Sequence, residues 1–157
     1  MLLRGKNAVI TGCNRGIGKA IMTAFAENGA NVWACVRKPN AEFEGYSKEL
    51  AQKNNVDISP LCFDLSDSAG IKSAVKEIRS AKKTVDVLVN NAGVSYNALF
   101  QMSTMDMLRE TFEINFFSMF MFTQYISKLM VARKSGSIIN IASSAGIDGN
   151  AGRSAYG

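Results

Sequence analysis

Five short apolar runs, separated by four stretches of helical period, constrain the fold of this chain more than any other feature. The runs are Ala8-Val9-Ile10, Asn31–Val36, Val56–Phe63, Val85–Val89 and Ser137–Ala142. Each is short enough for a strand and apolar enough to be buried. The first helical stretch opens at Gly16, repeats at Ile21, Met22, Phe25 and Ala26, and closes at Gly29. A polar stretch follows over Glu42–Lys53. A third, with Ile71, Val75 and Ile78 in register, comes after the capping residues Asp64-Leu65-Ser66-Asp67. The fourth is long, from about Thr104 to Arg133. Strands alternating with amphipathic helices predict an α/β fold, a doubly wound parallel sheet. Right-handed crossovers put helices on both faces. With 157 residues and no linker or low-complexity stretch, residues 1–157 read as a single domain.

Composition removes several function classes. A hydrophobic fraction of 47% with 20% charged residues excludes wholesale disorder. No apolar run approaches the ~20 residues needed to span a bilayer, and even Phe116–Phe122 is far too short. Met1-Leu2-Leu3-Arg4-Gly5-Lys6 lacks the apolar core of a signal peptide. These readings place the protein in the cytoplasm, off the membrane. Cys13, Cys35 and Cys62 are odd in number and dispersed, so no disulfide framework is suggested. There is no histidine, which excludes Ser-His-Asp, Cys-His and His-ligated metal chemistry within the chain. No metal site is expected. Any acid or base must be Tyr, Lys, Asp, Glu or Cys. The net charge is +5, but no basic run carries interleaved aromatics. Lys72, Lys76, Arg79, Lys82 and Lys83 read as a solvated face, and no nucleic-acid partner is expected.

The polar and small residues gather at one end of the strands: Gly12 to Gly18, Asp64, Asn90 to Gly93, and Ser143 to Gly146. The opposite ends carry little of note. Ligands of such sheets bind outside the carboxyl ends of the strands, so one crevice is predicted there. Thr11-Gly12-Cys13-Asn14-Arg15-Gly16-Ile17-Gly18 follows a strand and opens a helix. In that context glycines let backbone N–H groups approach a pyrophosphate, and the helix N-terminus favours the negative charge. The spacing is G-x-x-x-G-x-G, not G-x-G-x-x-G. Taken alone it also suits a turn whose glycines serve only close packing.

In company, these residues resemble the short-chain dehydrogenase/reductase family. The glycine turn resembles its cofactor turn. Asp64-Leu65 resembles the acidic position after its third strand, and Asn90-Asn91-Ala92-Gly93 its motif after the fourth. Asn115 stands where the family has a catalytic-site asparagine. Ser143 and Tyr156 stand thirteen positions apart, the family's common separation for its catalytic serine and tyrosine. Arg4-Gly5-Lys6 and Gly149-Asn150-x-Gly152 bring the resemblance nearest to 3-oxoacyl-[acyl-carrier-protein] reductases.

The resemblance implies a Rossmann-like fold that binds NADP(H) through Gly12, Asn14, Arg15, Gly16, Ile17, Gly18, Arg37, Asp64, Leu65, Asn91, Ala92 and Gly93. It implies Asn115, Ser143 and Tyr156 as catalytic residues. Asp64 would meet the adenine amino group. Val36-Arg37-Lys38 has no acid for a ribose 2′-hydroxyl. Arg15 and Arg37 instead suit a 2′-phosphate, which guanidinium groups clamp with charge-assisted bonds. The implied reaction is hydride transfer between NADPH and a carbonyl or alcohol, a 3-oxoacyl thioester among the candidates. Its substrate would be a small molecule or a group borne on acyl carrier protein. The family's active-site lysine, four positions after its tyrosine, and its last strands would lie beyond Gly157. If the chain truly ended there, the rival reading is a non-catalytic nucleotide-binding or scaffold protein. Phe112, Phe116, Phe117, Met119, Phe120, Met121 and Phe122 wrap more than one face of the long helix. One face should pack on the sheet. The other should pack on a second subunit, as in the family's dimers and tetramers, or else be covered by other residues.

Overall fold

The computed structural model describes residues 1–38 and 40–157. Its strands are β1 (Asn7–Thr11), β2 (Asn31–Val36), β3 (Ile58–Cys62), β4 (Val87–Asn90) and β5 (Ser137–Asn140). All pairs are parallel and the order is β3-β2-β1-β4-β5. Strand order therefore reverses between β1 and β4, which opens a crevice at their carboxyl ends. The doubly wound sheet predicted from the alternation is present. β3 and β4 are shorter than the apolar runs suggested, because Val56 and Val85 lie in the approaches to the strands rather than in the ladder.

Helices α1 (Gly16–Glu27), α2 (Ala41–Asn54) and α3 (Ser68–Ser80) connect the first four strands. β1 shows why both faces are covered. Alternate side chains of a strand point to opposite faces. Val9 joins one core with Trp33, Leu88, Ile71, Ile78, Phe122 and Ile126. Ala8 and Ile10 join the other with Met22, Ala26, Phe43 and Leu50. Full burial of each such side chain contributes about 1.5–3 kcal/mol. β5, by contrast, is exposed along its length.

The long helix predicted after β4 is continuous but not uniform. It runs through α4 (Met105–Phe112), a π-helical segment (Glu113–Ser118) and α5 (Met119–Val131). Hydrophobic period does not reveal this interruption, since the wider turn shifts the apolar face without ending it. Phe122, Ile126 and Met130 enter the core. Phe112, Phe116, Phe117 and Phe120 are 51–60% exposed and pack ring against ring along the opposite face. A short α6 (Ala145–Asp148) follows β5. Among the described residues no helix is long and apolar enough to cross a membrane.

The amino ends of the strands correct one expectation. They carry a side-chain network rather than little of note. Asp86 accepts from the Asn7 backbone N–H at 2.9 Å and from the Thr84 hydroxyl at 3.3 Å. It pairs with Arg133 at 3.2 Å and Lys6 at 3.8 Å. Asn31 donates to the Asn7 side chain and accepts from the Asp57 backbone N–H, both at 2.9 Å. These residues are scattered in sequence, so no motif announces them.

Candidate functional site

The crevice is a cleft of about 690 Å³ at the carboxyl ends of β1, β2, β3 and β4. Thr11, the last residue of β1, joins its two walls. Its hydroxyl accepts from the backbone N–H groups of Asn91 and Ala92, both at 3.0 Å. The Asn91 side chain donates back to the Thr11 carbonyl at 2.9 Å. The loop after β4 is thus held against the glycine turn. Two glycines make that approach possible. A Cβ on Gly12 would lie 2.8 Å from Asn91 Nδ2, and one on Gly18 would lie 2.1 Å from the Gly12 carbonyl oxygen. Neither distance leaves room for a side chain.

The start of α1 differs from those of α2, α3 and α4. Asn40 caps α2, Asp67 caps α3 and Thr104 caps α4 with side-chain acceptors. At α1 the cap residue is Arg15, and no side chain accepts from the first-turn N–H groups. Those donors and the positive helix end face the cleft unspent. Arg15 and Arg37 line the same cleft, are exposed, and enter no ion pair among the described residues. Asp64 closes the far side of the cleft. Hydrogen bonds from the Ser66 backbone N–H (2.9 Å) and hydroxyl (2.8 Å) hold its carboxyl below the usual carboxylate range, with help from the Arg37 charge. It is an ionised acceptor at neutral pH.

All twelve residues predicted to hold a cofactor line this cleft: Gly12, Asn14, Arg15, Gly16, Ile17, Gly18, Arg37, Asp64, Leu65, Asn91, Ala92 and Gly93. Uncapped N–H groups, a cradle that a Cβ would fill and two unpaired guanidinium groups suit a dinucleotide phosphate in size and charge. Phe63, Val94 and Ile114 also line it and were not singled out from sequence. Phe63 and Val94 directly adjoin the Asp64-Leu65 and Asn91-Ala92-Gly93 motifs, which was the available signal. Nothing local marked Thr11 as the joining group.

The three predicted catalytic residues lie outside the cleft lining. Asn115 sits in the π-helical segment, where its side-chain amide pairs with one backbone unit. Its Nδ2 donates to the Val94 carbonyl and its Oδ1 accepts from the Val94 N–H, both at 2.8 Å. It fixes the loop after β4 rather than bonding its own helix. Ser143 follows β5, and its Oγ accepts from the Ala145 N–H at 3.2 Å, leaving the hydroxyl proton free to donate. Tyr156 lies in the closing turn, and its N–H donates to the Arg153 carbonyl at 2.9 Å. The turn returns toward Ser143: a Cβ on Gly157 would be 2.6 Å from the Ala145 carbonyl oxygen. No hydrogen bond links Asn115, Ser143 and Tyr156 to one another among the described residues.

The family described as short chain dehydrogenase matches residues 6–157. The chain is 32% identical over 156 residues to the 3-oxoacyl-[acyl-carrier-protein] reductase FabG of Salmonella typhimurium, covering 99% of this chain and 62% of that protein. It resembles the structure of L-sorbose reductase from Gluconobacter frateurii, solved with NADPH and L-sorbose. The TM-score is 0.91 and the identity 28%, over 98% of this chain and 58% of that one. A structure from Beutenbergia cavernae, provisionally named as an NAD(P)-dependent gluconate 5-dehydrogenase and holding NADP at low occupancy, is also similar. Its TM-score is 0.88 at 32% identity, covering 98% and 60%. The chain spans between 48% and 63% of the length of the curated relatives it matches.

Proposed function

The chain belongs to the short-chain dehydrogenase family, and on that premise we propose that it holds NADP(H) in the cleft and reduces a carbonyl compound. The observation that carries the proposal is the cleft itself. It combines an uncapped helix start, a turn too tight for side chains and two unpaired arginines. The glycine turn and the first-turn N–H groups of α1 would take the pyrophosphate. Arg15 and Arg37 would take the 2′-phosphate, and Asp64 with Leu65 the adenine. Asn91, Ala92 and Gly93 form the opposite wall. The similar sorbose reductase and gluconate dehydrogenase structures, solved with NADPH and NADP, support the same reading.

NADPH, when bound, supplies the hydride. Tyr156 provides the proton for the developing alkoxide, a role worth about 10²–10⁴ in rate. The Ser143 hydroxyl donates to the same oxygen. Asn115 keeps the Val94 loop, and with it the cleft wall, in place. Reduction of a 3-oxoacyl thioester is the reaction carried over from the FabG relative. The exposed Phe112, Phe116, Phe117 and Phe120 face supports a homodimer or homotetramer. Sedimentation as a monomer at micromolar concentration would remove that part of the reading.

The test is NADPH oxidation by the intact protein with an acetoacetyl thioester and with a sugar ketone. Turnover of either is expected. Turnover of the sugar ketone alone would move the substrate away from thioesters. Failure to bind NADPH would overturn the reading as a whole.

A further inference from the structure

We propose that Arg153 determines substrate specificity by receiving the carboxylate of an oxo-acid beside Tyr156. The proposal rests on the reductase reading and narrows its substrate. Arg153 is the one arginine among the described residues that is not largely exposed. It enters no ion pair among those residues, whereas Arg109 and Arg133 pair with Asp106 and Asp86. Its Nε donates to the Asn97 side chain at 3.1 Å. The two Nη groups have no protein acceptor among the described residues. The Nη pair therefore keeps its donors open to an acceptor from outside the described residues.

Its place beside the proposed proton donor suits a substrate as that acceptor. The guanidinium carbon lies 6.0 Å from the centroid of the Tyr156 ring. The backbone on either side is held: Ala98 donates to the Gly152 carbonyl at 2.8 Å, and Tyr156 to the Arg153 carbonyl at 2.9 Å. Arg153 thus links the loop after β4 to the turn that carries the proposed proton donor. Leu99, Phe100 and Ile147, on the same two segments, are 60–88% exposed and carry no competing charge. The planar Nη pair matches a carboxylate by two parallel hydrogen bonds. With the guanidinium this near the phenol ring, the carboxylate must sit within a few bonds of the reacting carbonyl. A short oxo acid meets that condition. A thioester is neutral there, and the phosphate of a carrier arm lies many bonds away.

The test compares acetoacetate with ethyl acetoacetate, which share a carbonyl and differ in charge, using the intact protein and saturating NADPH. The acid is expected to exceed the ester in kcat/KM by about ten- to a hundredfold, the range of a charge-assisted contact. Arg153→Gln keeps a donor for Asn97 but removes the charge, and should collapse this ratio through KM for the acid. Arg153→Lys keeps the charge but not the planar fork, and should retain only part of it. A wild-type protein without preference for the acid overturns the inference. So does an Arg153→Gln variant whose ratio is unchanged, or which loses both substrates equally. Reduction of the ester in those cases leaves the reductase reading standing. Failure of the wild-type protein to oxidise NADPH with either carbonyl removes both.

Discussion

The two ends of the sheet use the same kinds of residue to opposite effect. At the amino ends, Asp86, Asn7, Asn31, Thr84 and Arg133 satisfy one another. At the carboxyl ends, Arg15 and Arg37 find no carboxylate among the described residues, and α1 begins without a side-chain cap. Both ends are polar, so polarity alone does not mark a site. What separates them is whether each donor's partner is supplied by the chain. Spent groups tie strands together, while the unspent groups at the switch point are the ones proposed to meet a ligand.

Substitutions at the two ends should therefore differ in whether they touch cofactor binding and turnover. The largest effect is expected from Tyr156→Phe in the intact protein, with kcat lowered about 10²–10⁴-fold and Tm nearly unchanged. Steady-state kinetics with a thermal melt read both quantities. Gly18→Ala comes next. Its methyl would fall 2.1 Å from the Gly12 carbonyl oxygen. It should abolish NADPH binding in a titration and destabilise the fold by about 1–3 kcal/mol.

At the other end, Asp86→Ala removes the acceptor shared by Asn7, Thr84 and Arg133. It should cost about 1–3 kcal/mol in denaturant unfolding and leave the NADPH Kd unmoved. The same carboxylate sets a pH dependence. Partial burial pushes its pKa up, but the Asn7 N–H, Arg133 and Lys6 outweigh burial and hold it below the usual value. A depressed folded pKa gives stability that is full above the unfolded value, near ~4. That stability is lost as pH falls through the folded value. An acid unfolding series should lose less in Asp86→Ala than in the wild type. The smallest effect belongs to Lys83→Ala. Its 2.6 Å pair with Asp57 is largely exposed and worth about 0.2–1 kcal/mol. A Kd shift from Asp86→Ala would break the division between the ends.

Much of this was legible before the fold. Ala8, Ile10 and the other apolar runs carry the strand period, and glycine, asparagine and aspartate stand at the strand ends they punctuate. The residues that line the cleft were legible because each lies in or beside a short local motif. Asp86 was not, since its partners Lys6, Asn7 and Arg133 come from both ends of the chain and meet only when β1 and β4 pair. Asn115 was legible as a position but not as a contact. Its bonds to Val94 occur within the π-helical segment, and a widened turn leaves little trace in hydrophobic spacing. Arg153 had no motif, and stands out because its charge and its Nη groups find no acceptor among the described residues.

The unpaired arginines of the cleft are proposed to select a 2′-phosphate. The direct measurement is titration of the intact protein with NADPH and NADH, followed by nicotinamide fluorescence, for the wild type and Arg37→Asp. NADPH should bind about ten- to a hundredfold more tightly than NADH, with the preference lost or reversed in Arg37→Asp. Equal affinity for the two cofactors, unchanged by Arg37→Asp, would contradict it.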